Sequence, residues 1–141
     1  MALHIQILAV SEMAVPPSAV YCNVGAHGEM LGTIQDLTEI PWSDGTVSTG
    51  VKHCGCAFYI EDDGHKVLVD TGVGDFDRIH RIRSARGDRY YLKALTPITQ
   101  QLEALGVRPE QVDLVVNTHL HWDHIGGNLL FPNAELILPA K

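Results

Sequence analysis

At 141 residues, 45% apolar and carrying a net charge of −7, the chain suits one domain with its own core and is too acidic for a general nucleic-acid binder. No Lys or Arg precedes Lys52, so no basic leader is expected, and Ser11 and Glu12 cut the first apolar stretch far short of the roughly 20 residues of a membrane span. Three cysteines (Cys22, Cys54 and Cys56) make no disulfide framework and point to reduced thiols and a cytoplasmic setting.

Residues 3–10 alternate like a strand, one expected at a sheet edge, and Pro16-Pro17 break it. Val20 to Cys22 reads as a short strand. Gly25, Gly28 and Gly32 make the next stretch irregular up to Leu37–Ile40, which Pro41 interrupts. Trp42 to Gly50 is polar and reads as a loop. Cys54–Ile60 and Lys66–Val69 are apolar runs flanking Asp62-Asp63-Gly64, a strong hairpin signal. The second run ends in Asp70-Thr71-Gly72-Val73-Gly74, which lacks the third glycine of a dinucleotide-binding loop.

Residues 75–93 are mixed and partly helical in pattern. Six basic residues fall between Arg78 and Lys93 against Asp88 alone, and a solvated face is the plainer reading of that run than an anion site. Thr96-Pro97 reads as an N-cap followed by proline at the first helical position. Ile98, Leu102 and Leu105 share one face of the helix it opens, and Gly106 stops it. Pro109 begins a turn into an apolar strand at 113–116. A helix is expected over Ile125–Leu130 and a last strand over Ala134–Leu138. The order predicts a single α/β domain with a mixed sheet.

Between those last strands lies Thr118-His119-Leu120-His121-Trp122-Asp123-His124-Ile125-Gly126-Gly127-Asn128. Four metal-capable side chains fall within six residues, in a loop at a strand end. Imidazole and carboxylate suit zinc, and equally iron, manganese or cobalt. In an extended segment His119 and His121 project to one side. Asp123 and His124 are adjacent, so the loop must curl to present both. Two ions so held can trap a bridging hydroxide and polarise the bond it attacks. One histidine here would read as a surface residue; four such donors read as a metal site. His53-Cys54-Gly55-Cys56 is a weaker cluster, best read as small residues facing the core.

This stretch resembles the signature of the metallo-β-lactamase fold superfamily, and Lys66–Gly72 resembles the family's earlier strand-Asp-Thr-Gly element. The spacing of the 97–105 helix and of Pro109–Val116 fits as well. The resemblance covers about residues 54–138 and is greatest to the N-acyl-homoserine lactonase branch. It implies an αββα sandwich, of which this chain would supply the first half. It implies two zinc ions, with His119 and His121 on one and Asp123 and His124 on the other, and Asp123 serving catalysis. Asp70 would orient a ligand imidazole from behind, or it simply caps a turn.

In that family the second half adds a further His for the first metal, a bridging Asp and a last His for the second metal, and no residues here match them. The expectation is therefore a zinc-dependent hydrolase of small-molecule lactones or other esters, present as its N-terminal portion. Thioester, β-lactam and phosphodiester hydrolysis are alternatives within the superfamily. A non-catalytic half-domain that binds metal weakly or pairs with another chain is the alternative outside it. Neither nucleic acid nor membrane is an expected partner, and no oligomeric state follows from the sequence.

Overall fold

The computed structural model describes residues 3–16 and 37–140. The strand expected at Val20–Cys22 lies outside them. Their strands form one sheet: β1 His4–Val15, β2 Leu37–Pro41, β3 Val47–Asp62, β4 His65–Val69, β5 Tyr91–Ala94, β6 Leu114–Val116 and β7 Glu135–Ile137. The order across the sheet is β5-β1-β3-β4-β6-β7, with β2 paired to β3. The β1–β3 and β3–β4 pairs are antiparallel, whereas the β4–β6 and β6–β7 pairs are parallel. The helices are α1 Phe76–Ala85, α2 Ile98–Ala104 and the single turn α3 Trp122–Ile125. Among the described residues no helix is long and apolar enough to cross a membrane.

The hairpin forms where the sequence predicts it. Asp63 and Gly64 both take positive φ (47° and 85°), as a two-residue turn matching strand twist requires. Gly106 ends α2 at φ 77°. The N-terminus of α2 differs from expectation: the helix starts at Ile98, with Pro97 flanking it and no side-chain cap. Gln101 Nε2 instead donates to the carbonyls of Thr96 (2.7 Å) and Ala9 (2.9 Å). The β1–β3 register slips between Ala9 and Ser11, and the bulge turns the Ala9 carbonyl toward that donor.

Three further expectations are corrected. Val47–Gly50 is strand, paired with β2, rather than loop. Residues 91–94 form β5, which pairs with Ser11–Ala14 of β1, so β1 is a true edge only over its first half. The helix after the histidines begins at Trp122 and ends at Ile125, and Asn128–Leu130 is a separate 3₁₀ turn.

Cross-strand partners share a face, so the register sorts the side chains into two layers. Tyr59, Leu68 and Val115 form one row, joined by Leu8 and Ala57. This layer packs against Ile98, Leu102, Val107, Val112 and Phe131 to form the main core. The opposite face carries two apolar rows, Ile5–Ile60–Val67–Leu114 and Ile7–Phe58–Val69–Val116–Ile137. Those rows are only partly covered: Ile7 is 57% exposed and Phe58 40%.

Candidate metal centre

The parallel strands β4 and β6 end side by side, and the loops that leave them clasp one another. Asp70 N–H donates to the Val116 carbonyl (2.9 Å) and Thr71 N–H to the His124 carbonyl (2.8 Å). Thr71 Oγ1 donates to Asn128 Oδ1 (2.7 Å), and Asn128 Nδ2 donates to Asn117 Oδ1 (2.8 Å). Thr71 and Asn117 are buried. Gly74, at φ 70°, lies so close to Gly126 that a Cβ on either would strike the other loop's backbone. The Gly126-Gly127 pair therefore serves loop-to-loop approach.

Asp70 sits at the centre of the clasp, 4% exposed and at φ 61°. Asp is among the residues that tolerate this left-handed backbone. Its Oδ1 accepts from Thr118 N–H (2.8 Å) and its Oδ2 from Thr118 Oγ1 (2.7 Å). Oδ2 also meets His124 Nδ1 at 2.8 Å. Burial alone would push the Asp70 carboxyl up, but the bonds from His124 and Thr118 outweigh it and hold it below its ordinary value. The turn-capping and imidazole-orienting readings of Asp70 thus describe one arrangement: Oδ1 caps the bend, and Oδ2 holds the ring.

The hydrogen bonds also assign tautomers. An ionised Asp70 only accepts, so His124 Nδ1 carries the proton, and in the neutral ring Nε2 keeps its lone pair. That Nε2 lies 3.5 Å from Asp123 Oδ2. Thr118 spends its hydroxyl proton on Asp70, so its oxygen accepts from His119 Nδ1, 3.1 Å away. His119 Nε2 thereby also keeps its lone pair.

The structure gathers all four motif side chains. The His119 ring centroid is 4.5 Å from that of His121 and 3.9 Å from that of His124. The bend at Thr118 and His119, followed by α3, supplies the curl that adjacent Asp123 and His124 demand. Among the described residues no three His, Cys, Asp or Glu side chains form a closed metal cage. The donors suit a divalent metal in kind: three imidazoles and a carboxylate lie side by side, and two of the rings are held from behind through Nδ1, which leaves each Nε2 with a lone pair to offer. His53-Cys54-Gly55-Cys56 gathers no such set. Cys54 is exposed rather than core-facing, and burial pushes the half-buried Cys56 thiol up to about 11.

Sequence reasoning missed the supporting residues Thr71, Asn117, Thr118 and Asn128. The signal for Thr71, Asn117 and Thr118 was small polar residues just after the apolar strands β4 and β6, whereas Asn128 follows the Gly126-Gly127 pair. It also missed Arg83 and Trp122, which line a cavity beside Asp123.

Comparison with known proteins agrees with this geometry. The family model "Metallo-beta-lactamase superfamily" matches residues 55–137. The "Probable metallo-hydrolase Rv2300c" of Mycobacterium tuberculosis is 39% identical over 94% of this chain, which spans 40% of that protein. An N-acyl homoserine lactonase of Bacillus cereus is 29% identical over 57% of this chain and 34% of its own length. Among solved structures, a quorum-quenching N-acyl homoserine lactone lactonase superposes with a TM-score of 0.62 at 19% identity, over 94% of this chain and 43% of its own. AidC, a dizinc quorum-quenching lactonase, gives 0.61 at 18% identity, over 95% and 40%. The chain thus spans well under half the length of these relatives, and the family match over residues 55–137 shows that it belongs to the metallo-β-lactamase superfamily.

Proposed function

We propose that residues 1–141 carry the first half of the active site of a metal-dependent hydrolase that opens a lactone or other ester. The observation that carries this reading is the Asp70-centred network. A buried carboxylate fixes His124 directly and His119 through Thr118, an investment in ring orientation that surface histidines do not need. His119 and His121 would hold one divalent ion, and Asp123 and His124 a second, with zinc the favoured metal. When bound, such a pair would supply Lewis acidity toward the substrate carbonyl oxygen and would acidify a water at neutral pH.

The chain's own residues do the positioning. Asp70 holds the proton on His124 Nδ1, and Thr118 relays the same constraint to His119. The Thr71–Asn128–Asn117 chain fixes the backbone of the α3 turn that presents Asp123 and His124. Ligands that close each coordination sphere would come from polypeptide outside these residues. The half-covered apolar face and the 40% span of the M. tuberculosis relative support that division.

The open donor set also favours a second reading, a half-domain that binds metal without turnover. Metal analysis and hydrolysis of a lactone, a thioester and a phosphodiester separate the two. The hydrolase reading expects lactone turnover once zinc is loaded, at least in a longer form of the protein. Turnover by residues 1–141 alone would sink the half-domain reading. His121→Ala should strip most of the retained zinc, and unchanged zinc content would overturn the ligand assignment.

A further inference from the structure

The basic run Arg78–Lys93 divides in the structure. Arg78 and Arg81 are exposed on α1, and Arg86 is exposed at its C-cap. Arg89 is engaged elsewhere, stacked 4.6 Å over the Trp42 ring and 3.5 Å from Asp44. Arg83 packs against Trp122 beside the candidate metal centre. Its guanidinium carbon lies 5.1 Å from the Tyr90 ring centroid and 5.5 Å from that of Trp122. Asp88 Oδ2 is 3.9 Å from Arg83 Nε, too far for a hydrogen bond. Nε is buried and has no hydrogen-bond partner among the described residues. A buried donor left unpaired is costly, and no carboxylate of the described residues comes within hydrogen-bond reach of this one.

Arg83 lines a cavity of about 150 Å³ with Met13, His53, Tyr90, Trp122 and Asp123. Asp123 makes the cavity continuous with the metal-binding cluster. At ~30 Å³ of liquid per water, it has room for a carboxylate and a few carbons. Its walls are aromatic and apolar with a few polar points, the usual make-up of a small-ligand site. A planar guanidinium fork matches a carboxylate in two-point contact. Asp123 in the same wall and Asp88, 3.9 Å from Arg83, already set negative charge against the one guanidinium, so a singly charged carboxylate is opposed less than a phosphate dianion would be.

We propose that this cavity seats a carboxylate carried by the substrate away from the bond to be cleaved, with Arg83 as the residue that selects for acidic esters. The functional sense rests on the hydrolase reading, but the binding itself does not require turnover. The plainer role of Arg83 is a clamp between two rings, and the test must separate the two.

Zinc-free protein is titrated with butyrate and with neutral butyramide, following tryptophan fluorescence, since the Trp122 ring lies against Arg83. Butyrate should saturate and butyramide should not bind. Arg83→Gln should weaken butyrate at least about tenfold, the scale of a lost charge-assisted pair, with Arg83→Lys intermediate and circular dichroism unchanged in both. Asp88→Asn should tighten butyrate a few-fold by removing a competing charge, whereas a mere clamp would gain nothing from it. Equal binding by Arg83→Gln, or equal binding of butyramide, overturns the proposal. Inorganic phosphate binding as tightly as butyrate overturns the carboxylate assignment. Zinc retention is scored separately, so failure of the metal reading and failure of the anion pocket are distinguishable.

Discussion

The two faces of the sheet are made of the same kinds of residue and meet different surroundings. Tyr59, Leu68 and Val115 lie fully buried under α2 and the segments that flank it. One residue along each strand, Phe58, Val69 and Val116 form an equally apolar row that none of the described helices joins in a core cluster. Strand composition alone reports that both faces avoid water, as is usual for parallel strands covered on both sides. What differs is the cover: the polypeptide supplies a helix for one face and leaves the other half-wet. The apolar pattern thus records the burial that a face is built for, and on the function proposed above the half-wet rows are where further polypeptide would pack.

The sharpest way to break this comparison is to truncate one side chain on each face. Leu102→Ala, at 0% exposure in the covered core, should cost about 2–5 kcal/mol through lost burial and a residual cavity. Phe58→Ala, at 40% exposure, should cost only about 1–2 kcal/mol, since part of its ring is already in water. Urea unfolding of residues 1–141 measures both. Comparable losses would mean that the second face is covered after all.

A smaller effect on stability, with a larger one on the site, is expected at the seam where the strands end. Asp70→Ala removes the acceptor for Thr118 N–H, Thr118 Oγ1 and His124 Nδ1 together. Stability should fall by about 1–3 kcal/mol, the cost of donors left unpaired. Zinc affinity should fall roughly 10–100-fold, the usual consequence of losing an orienting partner behind a metal ligand. Zinc affinity equal to wild type would show that the network caps a turn and nothing more.

The range of the forces involved decides which parts are legible in the sequence. The Asp63-Gly64 turn, the 98–104 helix with its Gly106 stop, and the clustering of His119, His121, Asp123 and His124 are all set by neighbours a few residues apart. β5 is not legible, because Tyr91-Leu92-Lys93-Ala94 is short and sits in a basic run, and it is strand only by pairing with Ser11–Ala14 some 80 residues earlier. Val47–Gly50 likewise takes its strand form from β2. The helix after the histidines starts earlier than the sequence suggests. Asp123 and His124 read as loop ligands, whereas the clasp with Thr71 closes a helical turn around them. Asp70 stands out in the sequence by its place after a strand, but its bond to His124 spans 54 residues and exists only in the folded chain.

The gentlest probe of the covered face is alkaline pH. Tyr59 lies in the core row with its hydroxyl donating to Glu61 Oε2 at 2.8 Å. Burial, then the bond to Glu61, pushes its phenol well above the ordinary value of 10.0. The folded protein therefore prefers the neutral phenol more strongly than the unfolded chain does. That contribution is fully present below pH 10 and is lost as pH rises from 10 through the folded value. The urea midpoint of the wild type should fall between pH 9 and 11 more steeply than that of Tyr59→Phe, which carries no proton to lose. Other tyrosines, lysines and cysteines titrate alike in both proteins, so the difference in slope isolates Tyr59. Tyr59→Phe should also be weaker by about 1 kcal/mol at pH 7, from the lost bond to a part-exposed carboxylate. Parallel slopes would mean that water reaches the phenol, and that the covered face is less well sealed than its packing indicates.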